Sequence, residues 1–111
     1  MGQMNEQRYG VIRKGLLEFL VLQIVSGQKV YAADILGRLG DTDFATQEGT
    51  LYPLLSRMCR ERMLDYEWQE SEAGPPRKYY KLAAAGRRQL AEFRGYWTHL
   101  TELIETLGQP A

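Results

Sequence analysis

The segment 47–82 constrains the fold most strongly, because it combines one helix pattern and two strand patterns in immediate succession. A helix is predicted over 47–62, where four apolar residues recur at positions i, i+3, i+4 and i+7: Leu51, Leu54, Leu55 and Met58. Alternating apolar residues then predict strands over 64–71 and 77–82, separated by an Ala-Gly-Pro-Pro turn at 73–76. A helix followed by two strands around a tight turn is the order of elements in a helix-turn-helix with a wing. The segment therefore predicts a winged helix.

Three further helices are predicted over 9–25, 32–39 and 84–107. The first is apolar around nearly its whole circumference, so it has to bury two sides, one against its own core and one against a partner. Gly40 ends the second helix, and Thr46 is expected to be the N-cap of the helix that follows.

The last predicted helix carries a regular apolar seam. Its apolar residues are separated by three, four, three, four and three positions: Leu90, Phe93, Trp97, Leu100, Ile104 and Leu107. This heptad spacing predicts packing along another helix, and a homodimer covers such a stripe economically in so small a chain. The predicted fold class is mainly α with a small β-hairpin: a winged helix-turn-helix plus a long C-terminal dimerisation helix. The predicted divisions are a flexible N-terminal arm at 1–9, a winged-helix DNA-binding domain at 10–82 and the dimerisation helix at 83–108.

Composition bounds the classes of function open to this chain. Its 111 residues are enough for one domain with a modest core. One cysteine and one histidine exclude an internal disulfide and an ordinary zinc site, so no metal or cofactor is expected. The sequence has no serine–histidine–acid set and no glycine-rich phosphate loop, which argues against an enzyme. It also has no membrane-spanning run and no secretory signal, so we expect a cytoplasmic protein with no membrane partner.

Charge is distributed unevenly along the chain. The net charge is zero, so the total does not indicate a nucleic-acid partner. Between residues 77 and 94, however, one acidic residue, Glu92, is accompanied by six basic ones: Arg77, Lys78, Lys81, Arg87, Arg88 and Arg94. A solvated surface is the ordinary explanation of such a cluster, so charge alone does not identify the partner.

The outward face of the helix at 47–62 has the chemistry of a helix that enters a DNA groove. This face and its flanks carry Gly49, Thr50, Tyr52, Pro53, Ser56, Arg57 and Arg60. Small residues let the backbone approach DNA closely, hydroxyl groups can contact phosphates or base edges, and the arginines supply positive charge. A merely solvated helix face is the alternative, and the helix alone does not decide between them. Pro53 is also expected to kink the helix, because proline removes a backbone hydrogen bond.

Three motifs resemble the PadR family of winged-helix transcriptional regulators: EGTLYPLLSR at 48–57, GPPRKYYKL at 74–82 and AGR at 85–87. LLEFLVL at 16–22 and Val-Tyr at 30–31 agree more loosely, so the resemblance covers nearly the whole chain. The single C-terminal helix is similar to the shorter branch of the family. This sequence departs from the family at 83–84, where Ala-Ala replaces a common Thr-Glu pair, so a threonine cap before the last helix is missing.

The resemblance implies a regulator that binds an inverted-repeat operator in double-stranded DNA as a homodimer, and most of the family are repressors. It also implies that Lys78 and the outward-facing one of Tyr79 and Tyr80 lie near the DNA backbone. The candidate DNA-binding residues are Arg13, Lys14, Gly49, Thr50, Tyr52, Pro53, Ser56, Arg57, Arg77, Lys78 and Tyr79. Tyr31 is equally suited to the core and to a contact. The alternative function is a winged-helix module for protein–protein interaction without DNA readout.

The C-terminal seam supplies a second candidate site. The resemblance implies an effector as a further partner, because some PadR regulators bind flat aromatic compounds between paired tryptophans. The predicted dimer-interface or effector-binding residues are Phe93, Trp97, Leu100 and Ile104. The alternative is that Trp97 simply fills the dimer core. Cys59 is expected to be a buried structural thiol, since nothing nearby in the sequence clearly lowers its pKa.

Overall fold

The computed structural model describes residues 6–111, with side chains from residue 8 onward, as four helices and a small sheet. In chain order the elements are α1 (Glu6–Gly27), β1 (Val30–Tyr31), α2 (Ala32–Gly40), α3 (Glu48–Arg60), β2 (Leu64–Ser71), β3 (Gly74–Leu82) and α4 (Ala84–Leu107). The predicted fold class, mainly α with a winged helix and a long C-terminal helix, is confirmed.

Helix α1 begins at Glu6 rather than at the predicted residue 9. The residues before Tyr9 are polar, but glutamate, glutamine and arginine are good helix formers, so the helix continues through them. The predicted flexible arm therefore loses residues 6–9 to α1, and its remaining residues, 1–5, lie outside the described part of the chain.

The sheet has three antiparallel strands in the order β1-β3-β2, one strand more than the predicted hairpin. Strand β1 has two residues, Val30 and Tyr31, which pair with Tyr80 and Tyr79 of β3. The predicted turn at 73–76 was wrong, because β3 begins at Gly74 and the chain turns just before it. The two prolines of that segment are tolerated there because the register is irregular at the tip of the hairpin, where strand pairing is interrupted.

The predicted N-cap of α3 was also wrong by one residue. Gln47 occupies the cap position with an extended backbone, and its carbonyl accepts hydrogen bonds from Thr50 and Leu51 at 3.0 and 2.9 Å. No side chain caps this helix, and none caps α4 after Ala83. Thr46 lies outside the helix, so its hydroxyl does not take the capping role.

One hydrophobic core joins α1, α2, α3 and the sheet. Its fully or nearly fully enclosed side chains include Val21, Leu22, Ile35, Leu51, Leu55 and Met58. The predicted inward stripe of α3 is thus present, with Leu54 half-buried at its margin. Tyr80 of β3 joins the same core. This contact anchors the wing, which is the hairpin of β2 and β3, against the rest of the domain.

Helix α4 is anchored to the wing through Gly86. A Cβ atom at Gly86 would lie 2.0 Å from the carbonyl oxygen of Met63, far inside van der Waals contact. The same oxygen accepts a hydrogen bond from the backbone of Ala83 at 3.0 Å. The last buried residue of α4 is Leu90, so the distal part of its apolar seam is not covered within one chain. None of the helices in residues 6–111 is both long and apolar enough to cross a membrane.

Candidate nucleic-acid interface

The outward face of α3 is exposed along its whole length. It carries Gly49, Tyr52, Pro53, Ser56 and Arg60, which follow one another at helical spacing. Tyr52 is 45% exposed, although aromatic residues are usually found mostly buried. Thr50 is exposed at the N-terminal end of the same helix. The face therefore offers two hydroxyl types and one guanidinium on a rigid element.

Two residues of this face disfavour a helix. In a helix interior proline costs about 3 kcal/mol relative to alanine, and glycine, here the second residue of α3, is also a poorer helix former than alanine. A Cβ at Gly49 would meet nothing within 4 Å, so packing does not require glycine there. Pro53 lies within the helix four residues later and has no N–H, so the Gly49 carbonyl lacks its α-helical hydrogen-bond donor.

Arg57 is engaged with carboxylates of the protein itself. Its Nη2 donates to Glu18 of α1 at 2.7 Å, and its Nη1 donates to Glu61 at 2.9 Å. These hydrogen bonds raise the pKa of Arg57. Sequence reasoning placed Arg57 among the DNA contacts, and the structure shows a further contact that ties α3 to α1.

The strand register of the wing places Arg77 and Lys78, the first two cations of β3, on opposite faces of the sheet. Lys78 pairs with Trp68 and Arg77 pairs with Gln69, and neighbouring residues of a strand point to opposite faces. The sequence prediction that treated Arg77 and Lys78 as one pair of charges did not distinguish these directions.

Lys78 is surrounded by aromatic rings. Its Nζ lies 4.0 Å from the ring centre of Tyr66, 5.5 Å from that of Trp68 and 5.9 Å from that of Tyr80. These are cation–π distances, which favour a fixed position for the ammonium group. Lys78 is half-buried, so it holds the wing together besides adding positive charge to the surface.

Arg77 covers a pair of tyrosines on the other side of the wing. Its Cζ lies 5.0 Å from the ring centre of Tyr31, and the rings of Tyr31 and Tyr79 are 3.9 Å apart. The Tyr79 hydroxyl donates to the Tyr31 hydroxyl, and this hydrogen bond raises the pKa of Tyr79. The sequence predicted that one of Tyr79 and Tyr80 packs inward, and the structure agrees, since Tyr80 is buried and Tyr79 is partly exposed.

A cleft of about 500 Å³ separates α3 from the wing. It is lined by Tyr31, Ala32, Ala33, Tyr52, Ser56, Trp68, Arg77, Lys78 and Tyr80. Trp68 is 63% exposed, and sequence reasoning did not include it among the site residues. The sequence shows only that Trp68 alternates with Leu64 and Tyr66 along one strand face, because its pairing with Lys78 requires the register of the hairpin. The cleft combines aromatic walls with two cations, which suits a phosphate–sugar backbone.

The two basic residues predicted on α1 differ in exposure. Arg13 is buried, with 7% of its surface exposed, whereas Lys14 is exposed. Both line a smaller cavity of about 260 Å³ together with Thr46 and Thr50. Lys14 therefore remains available beside the start of α3, and burial argues against a direct phosphate contact by Arg13.

Comparison with known proteins decides the identity of this fold. A family model described as the transcriptional regulator PadR-like family matches residues 21–92. The chain belongs to the PadR-like family. A PadR-like transcription factor from Bacteroides fragilis is 39% identical over 92% of this chain and 99% of that chain, with a TM-score of 0.80. A PadR-like transcriptional regulator from Bacillus cereus is 35% identical over 88% and 96% of the two chains, with a TM-score of 0.76.

The PadR-like assignment establishes the broad function. Members of this family are DNA-binding transcriptional regulators and not enzymes, so the present chain is a DNA-binding transcriptional regulator. A PadR family regulator from Eggerthella lenta, 28% identical, covers 96% of this chain and 93% of its own length, with a TM-score of 0.81.

A second groove of this PadR-like regulator, about 690 Å³, runs between α1 and α4. Phe19 of α1 stacks on Phe93 of α4 with ring centres 4.0 Å apart, and Phe93 is 5.9 Å from Trp97. All four predicted effector or dimer residues line this groove: Phe93, Trp97, Leu100 and Ile104. The structure thus brings them together on one apolar surface.

Cys59 lies on α3 between the core and the wing. It is half-buried rather than fully buried, because it stands at the edge of the inward stripe. Burial raises the pKa of the Cys59 thiol, which keeps it protonated and poorly nucleophilic near neutral pH.

Proposed function

We propose that this chain is a repressor that binds an inverted-repeat operator as a homodimer and is released by a flat aromatic effector. The observation that carries the proposal is the apolar groove between α1 and α4, which occurs in the same small domain as the exposed outward face of α3. We also place this regulator in the cytoplasm, as its solved relatives are bacterial transcriptional regulators.

The apolar groove supports association of two chains. Val11 and Ile104, which line the groove, are 82% and 63% exposed in the single chain, and Leu107, further along α4, is 75% exposed. Contiguous apolar surface of this kind marks an interaction site, because burying each large side chain stabilises association by about 1.5–3 kcal/mol. A second copy offers an equally apolar surface, so a two-fold dimer through α1 and α4 covers both copies at once.

The DNA-facing helix supports sequence reading. In the proposed complex α3 enters the major groove, where Thr50, Tyr52 and Ser56 meet base edges or phosphates. Arg77, Lys78 and Tyr79 contact the backbone from the wing, and Lys14 does so from α1. A two-fold dimer presents two copies of α3, so the half-sites lie about one helical turn apart.

Selection from random duplex DNA tests this proposal. Wild-type protein is mixed with a pool of random duplexes, the bound fraction is amplified over several rounds, and the enriched sequences are aligned. We expect an inverted repeat bound by two chains, and placing it over a promoter should lower transcription in a reporter assay. A single half-site bound by one chain would contradict the dimer, and raised transcription would contradict repression.

Replacement of Arg77 by glutamine should make DNA binding less dependent on salt. In the proposed dimer each chain loses one phosphate contact, so two are lost per complex and the slope of log affinity against log salt concentration falls by about 1.8. The measurement is a titration of the selected duplex by fluorescence anisotropy at several salt concentrations. Arg88→Gln removes the same charge from an exposed position of α4 and is expected to leave the slope unchanged. Equal slopes for wild type and Arg77→Gln would remove Arg77 from the interface.

Trp97 is the proposed effector contact. Its ring centre lies 5.9 Å from that of Phe93, and 46% of its surface is exposed, so a planar ligand can stack against it between the two chains. A Trp68→Phe variant isolates the fluorescence of Trp97, since the sequence has two tryptophans. We expect planar aromatic compounds to quench this fluorescence, and to release the selected duplex from the wild-type protein. A broad panel without quenching would leave Trp97 as a component of the dimer core alone.

A further inference from the structure

Trp68 is the most exposed aromatic residue of the wing, and the contacts assigned above give it no partner on DNA. It is 63% exposed, compared with 42% for Tyr66 and 5% for Tyr80 on the same face of the hairpin. We propose that the Trp68 ring packs against a deoxyribose of the DNA strand that crosses the cleft between α3 and the wing. The inference rests on the proposed function and adds to it a contact that reads no base.

The position of the cleft beside α3 places a DNA strand in it. Tyr52 and Ser56 line the cleft and also belong to the outward face of α3, whereas Trp68 lines it from β2. A helix with its side chains is about 10–12 Å across and the major groove is about 12 Å wide, so a helix in the groove reaches both flanking strands. In the proposed complex one of these strands therefore passes through the space between α3 and the wing.

The charge of the cleft suits a DNA strand. Arg77 and Lys78 line the cleft, and no acidic residue does so among those that the structure describes. The α1–α4 groove differs, because Glu92 lines it and no lysine or arginine of the described residues does. Phosphates match the two cations, and the deoxyribose between successive phosphates offers carbon atoms to an aromatic ring. Charge complementarity thus favours a DNA strand as the occupant of the cleft.

The ring of Trp68 is held in place although most of it is exposed. It forms a T-shaped pair with the ring of Tyr66, with centres 6.4 Å apart and planes at 87°. The Lys78 ammonium group lies 5.5 Å from the centre of the Trp68 ring. Both arrangements are favourable for an aromatic ring. A side chain positioned in this way loses little further freedom when it binds, which favours its use as a contact.

The salt dependence of a Trp68→Ala variant tests the contact. A sugar contact releases no counterion, so its loss should lower affinity for the selected duplex by the same factor at every salt concentration. Covering part of a large side chain is worth about three- to tenfold in affinity per half-site, so we expect a loss of about 10- to 100-fold for two chains. Fluorescence anisotropy titrations measure the affinities, and thermal unfolding checks that the variant is folded.

Gln69→Ala is the matched control. Gln69 is exposed on the same strand, points to the opposite face of the sheet and does not line the cleft, so this variant should bind like wild type. A Trp68→Ala protein whose salt slope falls by about 1.8 would have lost the two Lys78 contacts of the complex. Trp68 would then act by positioning Lys78, and the proposed sugar contact would be wrong.

Acrylamide quenching measures the burial of the Trp68 ring directly. Fluorescence comes from Trp68 alone in a Trp97→Phe protein and from Trp97 alone in a Trp68→Phe protein. Each variant is measured free and at a duplex concentration that saturates it. We expect the duplex to lower the quenching constant of Trp68 about twofold or more, because one face of a planar ring is covered. The quenching constant of Trp97, which lies in the α1–α4 groove, should not change.

The outcomes separate this inference from the proposed function. If the operator is bound while the quenching of Trp68 stays the same, the inference fails and the proposed function stands. Protection of Trp68 that grows with protein concentration in the absence of DNA would show that another copy of the chain occupies the cleft, which also overturns the inference. If wild type enriches no preferred duplex, the proposed function fails and the inference fails with it.

Discussion

Replacement of Ile104 by glutamate is expected to lower operator affinity by about 10²- to 10⁴-fold. Linking two DNA-binding units raises their joint affinity by about this factor, and separating them removes the gain. Ile104 is 63% exposed in one chain, so a charge there leaves the fold of the subunit intact but places a carboxylate in the apolar groove. Sedimentation measures the loss of the dimer, and anisotropy titration measures the loss of affinity.

Thr98→Glu is the control for this variant. Thr98 is exposed on the same helix but does not line the α1–α4 groove, so the same charge should leave both association and operator affinity near wild-type values. An Ile104→Glu protein that remains dimeric and binds the operator normally would show that two chains do not meet through this groove.

Replacement of Gly86 by alanine is expected to destabilise the protein by about 3 kcal/mol or more. The added methyl group would lie 2.0 Å from the carbonyl oxygen of Met63, and backbone atoms cannot yield as a flexible side chain does. Overpacking of a closed contact usually costs about 1–3 kcal/mol, and this contact is tighter than most. Thermal unfolding at one fixed protein concentration measures the change, with an expected drop of about 10 °C or more.

Gly95→Ala provides the comparison within the same helix. A Cβ at Gly95 would meet nothing within 4 Å, so the substitution only improves helix propensity and should stabilise the protein by up to about 1 kcal/mol. The two alanine variants are thus expected to shift the unfolding midpoint in opposite directions. A Gly86→Ala protein as stable as wild type would mean that α4 is not held against the wing as described.

Apolar periodicity was sufficient to predict the bounds of two elements that have a long and uniform pattern. Strand Leu64–Ser71 and helix Ala84–Leu107 have the bounds that their apolar spacing predicts. Strand β1 could not be predicted in this way, because two residues contain no period and the strand exists only through its pairing with β3. The cap of α3 was misplaced because threonine has the stronger capping tendency, whereas the helix begins at Glu48 with Gln47 at the cap position and no side-chain cap.

Many residues of the candidate sites could be identified from the sequence, but the contacts between them could not. The outward face of α3 and the apolar stripe of α4 follow from helical spacing and were identified from sequence, whereas the residues of α1 that complete the groove were not. The partner of Arg57 could not be, because Glu18 is 39 residues away and the two meet only when α1 packs on α3. The opposite directions of Arg77 and Lys78, and the ring cage around Lys78, likewise require the register of the hairpin.

The C-terminal part of α4, beyond its last buried residue, determines how operator binding by the proposed repressor depends on the concentration of the chain. Beyond Leu90, residues 91–107 of the helix extend roughly 25 Å at about 1.5 Å per residue, with no fully buried side chain. A lone chain leaves much of the apolar seam of this segment exposed, so in the proposed dimer covering the seam depends on meeting a second copy and is governed by mass action. While monomers predominate, the concentration of dimers rises with the square of chain concentration. Doubling expression then raises dimer concentration about fourfold. Occupancy of the operator therefore rises more steeply than the concentration of the chain.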